Sequence, residues 1–138
     1  MADRVRKVNY VYMKVPNRAG NGAKILSELR EEGVGLIAYS GFPDKRGKAQ
    51  IDLVPEDIWA LRRVAKKNGW RLSKPKRAFL ITGRDDLGAV QRHINKLADK
   101  KINIIAADAV AAGRHRFGMI LWVKQKDFGR ASRALRAK

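Results

Sequence analysis

The chain has 138 residues, 45% of them apolar, and a formal net charge of +18. That length suits one ordinary domain or two small ones sharing a core, and no apolar run approaches the roughly 20 residues that would span a bilayer. Cysteine is absent, which excludes a disulfide framework, thiol catalysis and thiolate metal sites, and the charged stretch from Met1 to Lys7 leads into no apolar signal segment, so a soluble cytoplasmic protein is expected.

Val8 to Val15 is β-branched and aromatic with apolar residues on both faces, the pattern of a central strand. Asn17-Arg18-Ala19-Gly20 breaks it. From Gly22 to Glu32, Ile25, Leu26 and Leu29 recur at helical spacing, and Gly33 follows where a helix stops. Leu36 to Ser40 and Ala49 to Val54 read as a hairpin around the turn residues Phe42 to Gly47. Pro55-Glu56-Asp57 opens a second helix whose Ile58, Leu61, Val64 and Ala65 face a core, and Asn68-Gly69 closes it. Trp70 to Leu72 is expected as a short fourth strand, followed by a linker. The order then recurs, with a strand at Ala78 to Thr82, a helix from Leu87 to Lys100, strands at Ile102 to Val110 and Phe117 to Lys124, and a helix from Asp127 to Ala137. This second set lacks its own fourth strand, so its sheet must borrow one or remain short.

The recurrence has a constant offset of 68 positions. Val11 and Met13 fall on Phe79 and Ile81, Gly20 on Gly88, Leu26 and Leu29 on Ile94 and Leu97, Val34 and Leu36 on Ile102 and Ile104, and Ile51 and Leu53 on Met119 and Leu121. An alternation that keeps phase through strands and a helix marks two copies of one unit. The expected division is 1–72 for the first module, 73–77 for a linker and 78–138 for the second. Each has the order strand, helix, strand, strand, helix, strand of the ferredoxin-like fold, which gives an α+β protein of two βαββαβ modules, antiparallel sheets with both helices on one face.

Within that order, Asn17-Arg18-Ala19-Gly20, then Ile25, Leu29 and Gly33-Val34-Gly35-Leu36, resembles the signature of ACT domains. There, an acidic or amide residue and a Pro-Gly turn open the first helix, and a Gly-Ile-Asn-Ile run opens the second strand; here Ala19 and Leu87 stand in place of the turn proline. Asp85-Asp86-Leu87-Gly88, Leu97 and Ile102-Asn103-Ile104 match it a second time. The resemblance implies a regulatory module that holds a small effector, commonly an amino acid, at an interface between modules.

The strand-to-helix turns are the candidate sites in chemical terms as well. A helix N-terminus offers unpaired N–H groups and a dipole that favours a carboxylate, and glycine lets a ligand approach the backbone. The expected ligand-binding residues are Asn17, Arg18, Gly20, Val34, Gly35 and Leu36 in the first copy and Asp85, Gly88, Ile102, Asn103 and Ile104 in the second. Asn17 or Asp85 accepts from an ammonium group and the second-strand residues supply main-chain partners. The competing reading makes Asn17 and Asp85 plain helix caps, worth about 1 kcal/mol each.

Leu80, Ile120 and Trp122 put apolar surface on the sheet face opposite the helices, which predicts an interface with another module or subunit. The alternative is that Trp122 stacks on a base. His93 and His115 have no second ligand or base at useful spacing, so no metal, cofactor or catalytic site is expected and the chain reads as a non-enzyme. The charge is uneven: residues 71–138 carry 17 Lys and Arg against 5 Asp and Glu. It includes the basic hairpin tip Arg114-His115-Arg116 and the tail Arg130, Arg133, Arg136 and Lys138, which are solvated surface or phosphate contacts. The leading expectation is thus a regulatory amino-acid-binding module that forms a homo-oligomer and acts on a partner protein. Nucleic-acid binding on the same scaffold is the second choice, and no membrane association is expected.

Overall fold

The computed structural model of the protein describes residues 3–138. In chain order the elements are β1 (Arg4–Pro16), α1 (Asn21–Glu31), β2 (Leu36–Pro43), β3 (Lys48–Pro55), α2 (Ile58–Asn68), β4 (Lys76–Arg84), α3 (Ala89–Asp99), β5 (Ile104–Ala111), β6 (Arg116–Val123), a short 3-10 turn (Gln125–Asp127) and α4 (Phe128–Leu135). They form two compact units. The first module is Asn9–Lys76, and the second joins Arg77–Lys138 to the described residues through Val8.

In the first module β1 pairs antiparallel with β3, Val11 opposite Leu53, and β3 with β2, Tyr39 opposite Leu53. Alternate residues of these strands, Val11, Met13, Ile51 and Leu53, meet Ile25 and Leu29 of α1 and Leu61 and Val64 of α2 in one core. Burying each such side chain contributes about 1.5–3 kcal/mol. Asp57 caps α2, its side chain accepting from the N–H groups of Trp59 and Ala60, and Gly69 closes the helix in the left-handed region. The strand expected at Trp70 to Leu72 is not regular. Trp70 and Leu72 pack partly buried on the core, and the backbone bond to β1 comes later, from the Ser73 N–H to the Tyr12 carbonyl at 2.8 Å, while Ser73 Oγ accepts from the Tyr12 N–H at 2.9 Å.

The second module repeats the plan. β4 pairs with β6, Ile81 opposite Met119, and β6 with β5. Its core joins Phe79, Ile81, Leu97, Met119, Leu121, Phe128 and Leu135, with the Phe79 and Phe128 rings stacked 4.5 Å apart. The expectation that this sheet borrows its last strand is met at the other end of the chain. β1 is the neighbour of β4 in the strand order, Val5 is buried in this core, and Lys138 bonds to Val5 and Lys7 on β1 at 3.0 Å each. The expected boundary, which gave residues 1–72 to the first module, therefore misassigns the segment up to Val8. Proximity in sequence favoured the first module, whereas Val5 is buried in the core of the second.

The duplication holds bond for bond. The Asn17 N–H donates to Gly47 O as the Asp85 N–H donates to His115 O, Lys24 to Gly20 as Arg92 to Gly88, and Val34 to Leu29 as Ile102 to Leu97. The irregularity in β2 between Leu36 and Ala38 recurs in β5 between Ile104 and Ala106.

Candidate functional site

The first strand-to-helix turn ends β1 at Pro16 and opens α1 from Gly20, which caps the helix at φ 93° in the left-handed region with no side-chain cap bond. Gly88 does the same for α3 at φ 79°. Neither Asn17 nor Asp85 is the cap, because each lies three residues before the glycine that turns the chain. Asn21 Nδ2 instead donates to the Pro16 carbonyl at 2.7 Å and ties the turn closed. Among the described residues the N–H groups of Gly22 and Ala23 find no backbone acceptor outside the helix, as expected for a helix start.

Beside this turn is a hollow of about 260 Å³, lined by Asn17, Arg18, Asn21 and Gly22 on one side and by Tyr39, Phe42 and Ala49 on the other. Gly22 lets the Tyr39 hydroxyl approach closely: a Cβ at that position would meet it at 2.9 Å. Tyr39 and Phe42 each remain 44% exposed, so their rings are open to an occupant. Arg18 and Asn21 also line a larger hollow of about 460 Å³ across the face of α1, together with Lys24, Glu28, Asn68 and Trp70. Sequence reasoning did not single out Tyr39 and Phe42. The signal for them was two aromatic rings on a short strand that needs neither for its core.

Val34, Gly35 and Leu36 are not brought to this turn. They follow the far end of α1, whose 11 residues place about 16 Å between its two ends. Val34 N–H is committed to Leu29 O, and Gly35 O accepts from Glu56 N–H at 3.0 Å. The Glu56 carboxylate also covers Gly35, where an added Cβ would meet Oε2 at 2.8 Å. In the second copy Ile102 is buried in the core with its N–H bonded to Leu97 O, Asn103 is exposed and Ile104 packs partly buried. Within a module, then, Asn17, Arg18 and Gly20 come together, as do Asp85 and Gly88, but neither set meets the second-strand residues. Of the expected interface residues, Ile120 and Trp122 are buried and Leu80, opposite Ile120, is half-buried.

The second module differs at the hollow that matches the larger one. There, about 430 Å³ is lined by Asp3, Asp86, Arg92, His93, Lys96 and Arg136. His93 is buried, and its Nε2 lies 2.6 Å from Asp3 Oδ2, which also accepts from Arg92 at 3.0 Å. Gly83 makes this possible, since a Cβ there would collide with the Asp3 carboxylate. Burial opposes ionisation of Asp3 most, but the hydrogen bonds and charges of His93 and Arg92 together hold its carboxyl below the usual carboxylate range. The expectation that His93 has no base partner is therefore corrected: the partner stands 90 positions away in the chain. Among the described residues no group of three or more His, Asp or Glu is placed to hold a metal ion, and no helix is long and apolar enough to cross a membrane.

No protein-family profile and no curated protein matches the chain. Solved structures do. A protein from Bacteroides thetaiotaomicron superimposes with a TM-score of 0.77 at 14% identity, over 97% of this chain and 88% of that one. The ligand-free regulatory subunit of aspartate kinase from Thermus thermophilus gives 0.61 at 18% identity, over 98% and 93%. The aspartokinase alpha and beta subunits give 0.63 at 13%, over 99% and 95%. The regulatory domains of aspartate kinase contain ACT domains. The fold is that of tandem ACT domains. Each ACT unit here uses its helix-opening glycine in the same way, and the two differ in what surrounds it. Where the first ACT unit has Arg18, Gly22, Tyr39 and Phe42, the second has Asp86, Val90, Ala107 and Val110.

Proposed function

We propose that the protein is a non-catalytic regulatory module whose first ACT unit binds an amino acid at the turn between β1 and α1. The observation that supports this most is the open hollow of about 260 Å³ in which Arg18, Asn17 and Asn21 face the exposed rings of Tyr39 and Phe42. In this reading the ligand carboxylate sits at the Arg18 guanidinium and the N–H groups opening α1, where charge and dipole act in the same sense. The ammonium group is accepted by the Asn17 side-chain oxygen, and the aromatic rings receive an apolar side chain. Arg18 separates the two copies, because Asp86 at the matching position repels a carboxylate.

The main-chain groups around Val34 to Leu36 serve such a ligand only from a second copy of the chain, since they lie at the opposite end of α1 from their own turn. The reading therefore includes a homo-oligomer, with the effect of the ligand passed to a partner protein. Titration calorimetry against each of the twenty amino acids tests it. At least one is expected to release heat, with the signal weakened at least 10-fold by Arg18→Ala and unchanged by Asp86→Ala. An absence of heat and of thermal shift with all twenty removes the ligand from the reading.

A further inference from the structure

The helical layer of the second module carries charge that its fold does not require. On α3, Arg92, Lys96 and Lys100 stand four residues apart and form one stripe, the last just past the helix end. On α4, Arg130, Arg133 and Arg136 stand three apart and form another. The stripes face each other. A hollow of about 360 Å³ is lined by Lys100 with Arg130 and Arg133, and the hollow of about 430 Å³ joins Arg92 and Lys96 to Arg136. The helices thus run antiparallel along one basic seam.

Two of the six cations are neutralised. Arg92 pairs with Asp3 at 3.0 Å and Arg130 with Asp127 at 3.5 Å. Lys96, Lys100, Arg133 and Arg136 are exposed and enter no ion pair among the described residues. Arg130 has a structural duty too, donating to the Lys100 carbonyl at 2.6 Å, where the C-terminus of α3 favours a cation. That duty accounts for one side chain and leaves the rest of the seam unexplained.

The first module supplies the control. Where α3 has Arg92, Lys96 and Lys100, the matching α1 positions are Lys24, Glu28 and Glu32. Aligned on their left-handed ends at Gly69 and Arg136 and on the buried sets Leu61, Val64, Ala65 and Phe128, Ala131, Ser132, the α4 arginines Arg130 and Arg133 match Arg63 and Lys66, and Arg136 falls on Gly69. That seam is balanced, with Lys67 bonded to Glu32 at 2.5 Å. The same helix pair therefore folds with acid facing base, and like charges facing each other cost stability unless something neutralises them.

We propose that the seam between α3 and α4 of the second module binds the phosphate backbone of a nucleic acid. The three α4 positions of the seam are all arginines, whose fork matches phosphate oxygens in pairs. The hollow at Lys100 has Ala134 as its sole apolar lining residue, and the other has Val5 and Leu135, both buried. An acidic peptide would need apolar anchors for affinity, and the seam offers none at its surface. A nucleic acid binds through charge density alone. No Phe, Tyr or Trp lines either hollow and the His93 ring is buried, so the contact reads backbone and not base. This inference stands independently of an amino-acid ligand in the first module.

The test is fluorescence anisotropy of the full-length chain with labelled 20-nucleotide single-stranded RNA, single-stranded DNA and duplex DNA, from 50 to 200 mM salt. Four phosphate contacts give a slope of log affinity against log salt of about −3.6 for duplex and about −2.8 for a single strand. The pair Lys96→Glu with Lys100→Glu, which recreates the first module's pattern, is expected to lower affinity at least 10-fold at 50 mM salt and flatten the slope by about 2. Arg63→Glu with Lys66→Glu changes net charge equally but in the first module, and is expected to cost under 3-fold. Should the Glu pair unfold by circular dichroism, Lys96→Gln with Arg133→Gln keeps the same expectation for the slope. Three results overturn the proposal: no binding to any probe at 50 mM salt, equal losses from the two paired variants, or displacement of the oligonucleotide by polyglutamate at equal charge concentration.

Discussion

At the hollow beside its first helix, the first module presents Val15 and Ile25; at the matching positions the second presents Gly83 and His93, with the Asp3 carboxylate against both. Several backbone turn bonds recur at matching positions in the two copies. The fold is thus specified by the alternating apolar positions the copies share, and one corner of it tolerates either an apolar lining or a buried hydrogen-bonded His–Asp pair. The exchange is concerted. A histidine at 93 without Asp3 is a buried base without its partner, and Asp3 cannot occupy its place unless position 83 lacks a side chain.

Substitution can take that comparison apart. Asp3→Ala leaves the His93 ring buried, with Nδ1 already lacking a partner among the described residues, and is expected to cost about 1–3 kcal/mol in urea unfolding. Combining it with Gly83→Val and His93→Ile transplants the first module's lining, and the triple variant is expected within about 1 kcal/mol of the parent, because well-packed apolar residues often replace buried pairs without loss. A triple variant as unstable as Asp3→Ala alone would mean that the two corners are not interchangeable.

The pH dependence separates the modules next. Asp3, in the second, titrates below an unfolded aspartate, whose pKa is about 3.9. Its contribution is present above that value and is lost as pH falls through the lower folded one. Asp52, in the first, behaves oppositely. It is 7% exposed and bonded to Gln50 Nε2 at 3.0 Å. Burial pushes its carboxyl up, against smaller opposing effects of Gln50 and Lys76. The stability it allows is fullest below the ordinary aspartate pKa and is lost as pH rises through the raised value. Thermal melts of Asp52→Asn are therefore expected above the parent at pH 7 and to converge with it near pH 3, while Asp3→Asn melts below the parent at pH 7 and converges on acidification.

The smallest effect lies at the hairpin tips. Gly47 and His115 occupy the same left-handed position, at φ 70° and 58°. Glycine is at ease there and histidine is not. His115→Gly should raise stability by about 0.5 kcal/mol, against the greater freedom glycine has when unfolded, and the unchanged Asp85 N–H bond to residue 115 can be followed by amide exchange.

Most of the fold was legible because the strands alternate and the first helix of each copy has its own apolar stripe, as Ile25 with Leu29 and Ile94 with Leu97 show. Errors arose where a partner is remote in sequence. Nothing local connects Asp3 with His93, and the strand read from Val8 to Val15 leaves out Val5, whose partners lie in the second module. At the candidate site, glycine conformation decides the helix starts: Gly20 and Gly88 cap their helices, which removes the capping role from Asn17 and Asp85. Tyr39 and Phe42 went unnoticed because an exposed ring on a short strand is indistinguishable by pattern from a packed one.

The position of β1 has a consequence for biosynthesis. The segment from Arg4 to Val8 is translated before the first module, yet the sheet that needs it is complete only after that whole module and then β4 and β6 have followed. Contacts that distant close slowly. The first module can condense while translation continues, whereas the segment from Arg4 to Val8 waits without its β4 neighbour, open in the interval to a chaperone or a neighbouring nascent chain.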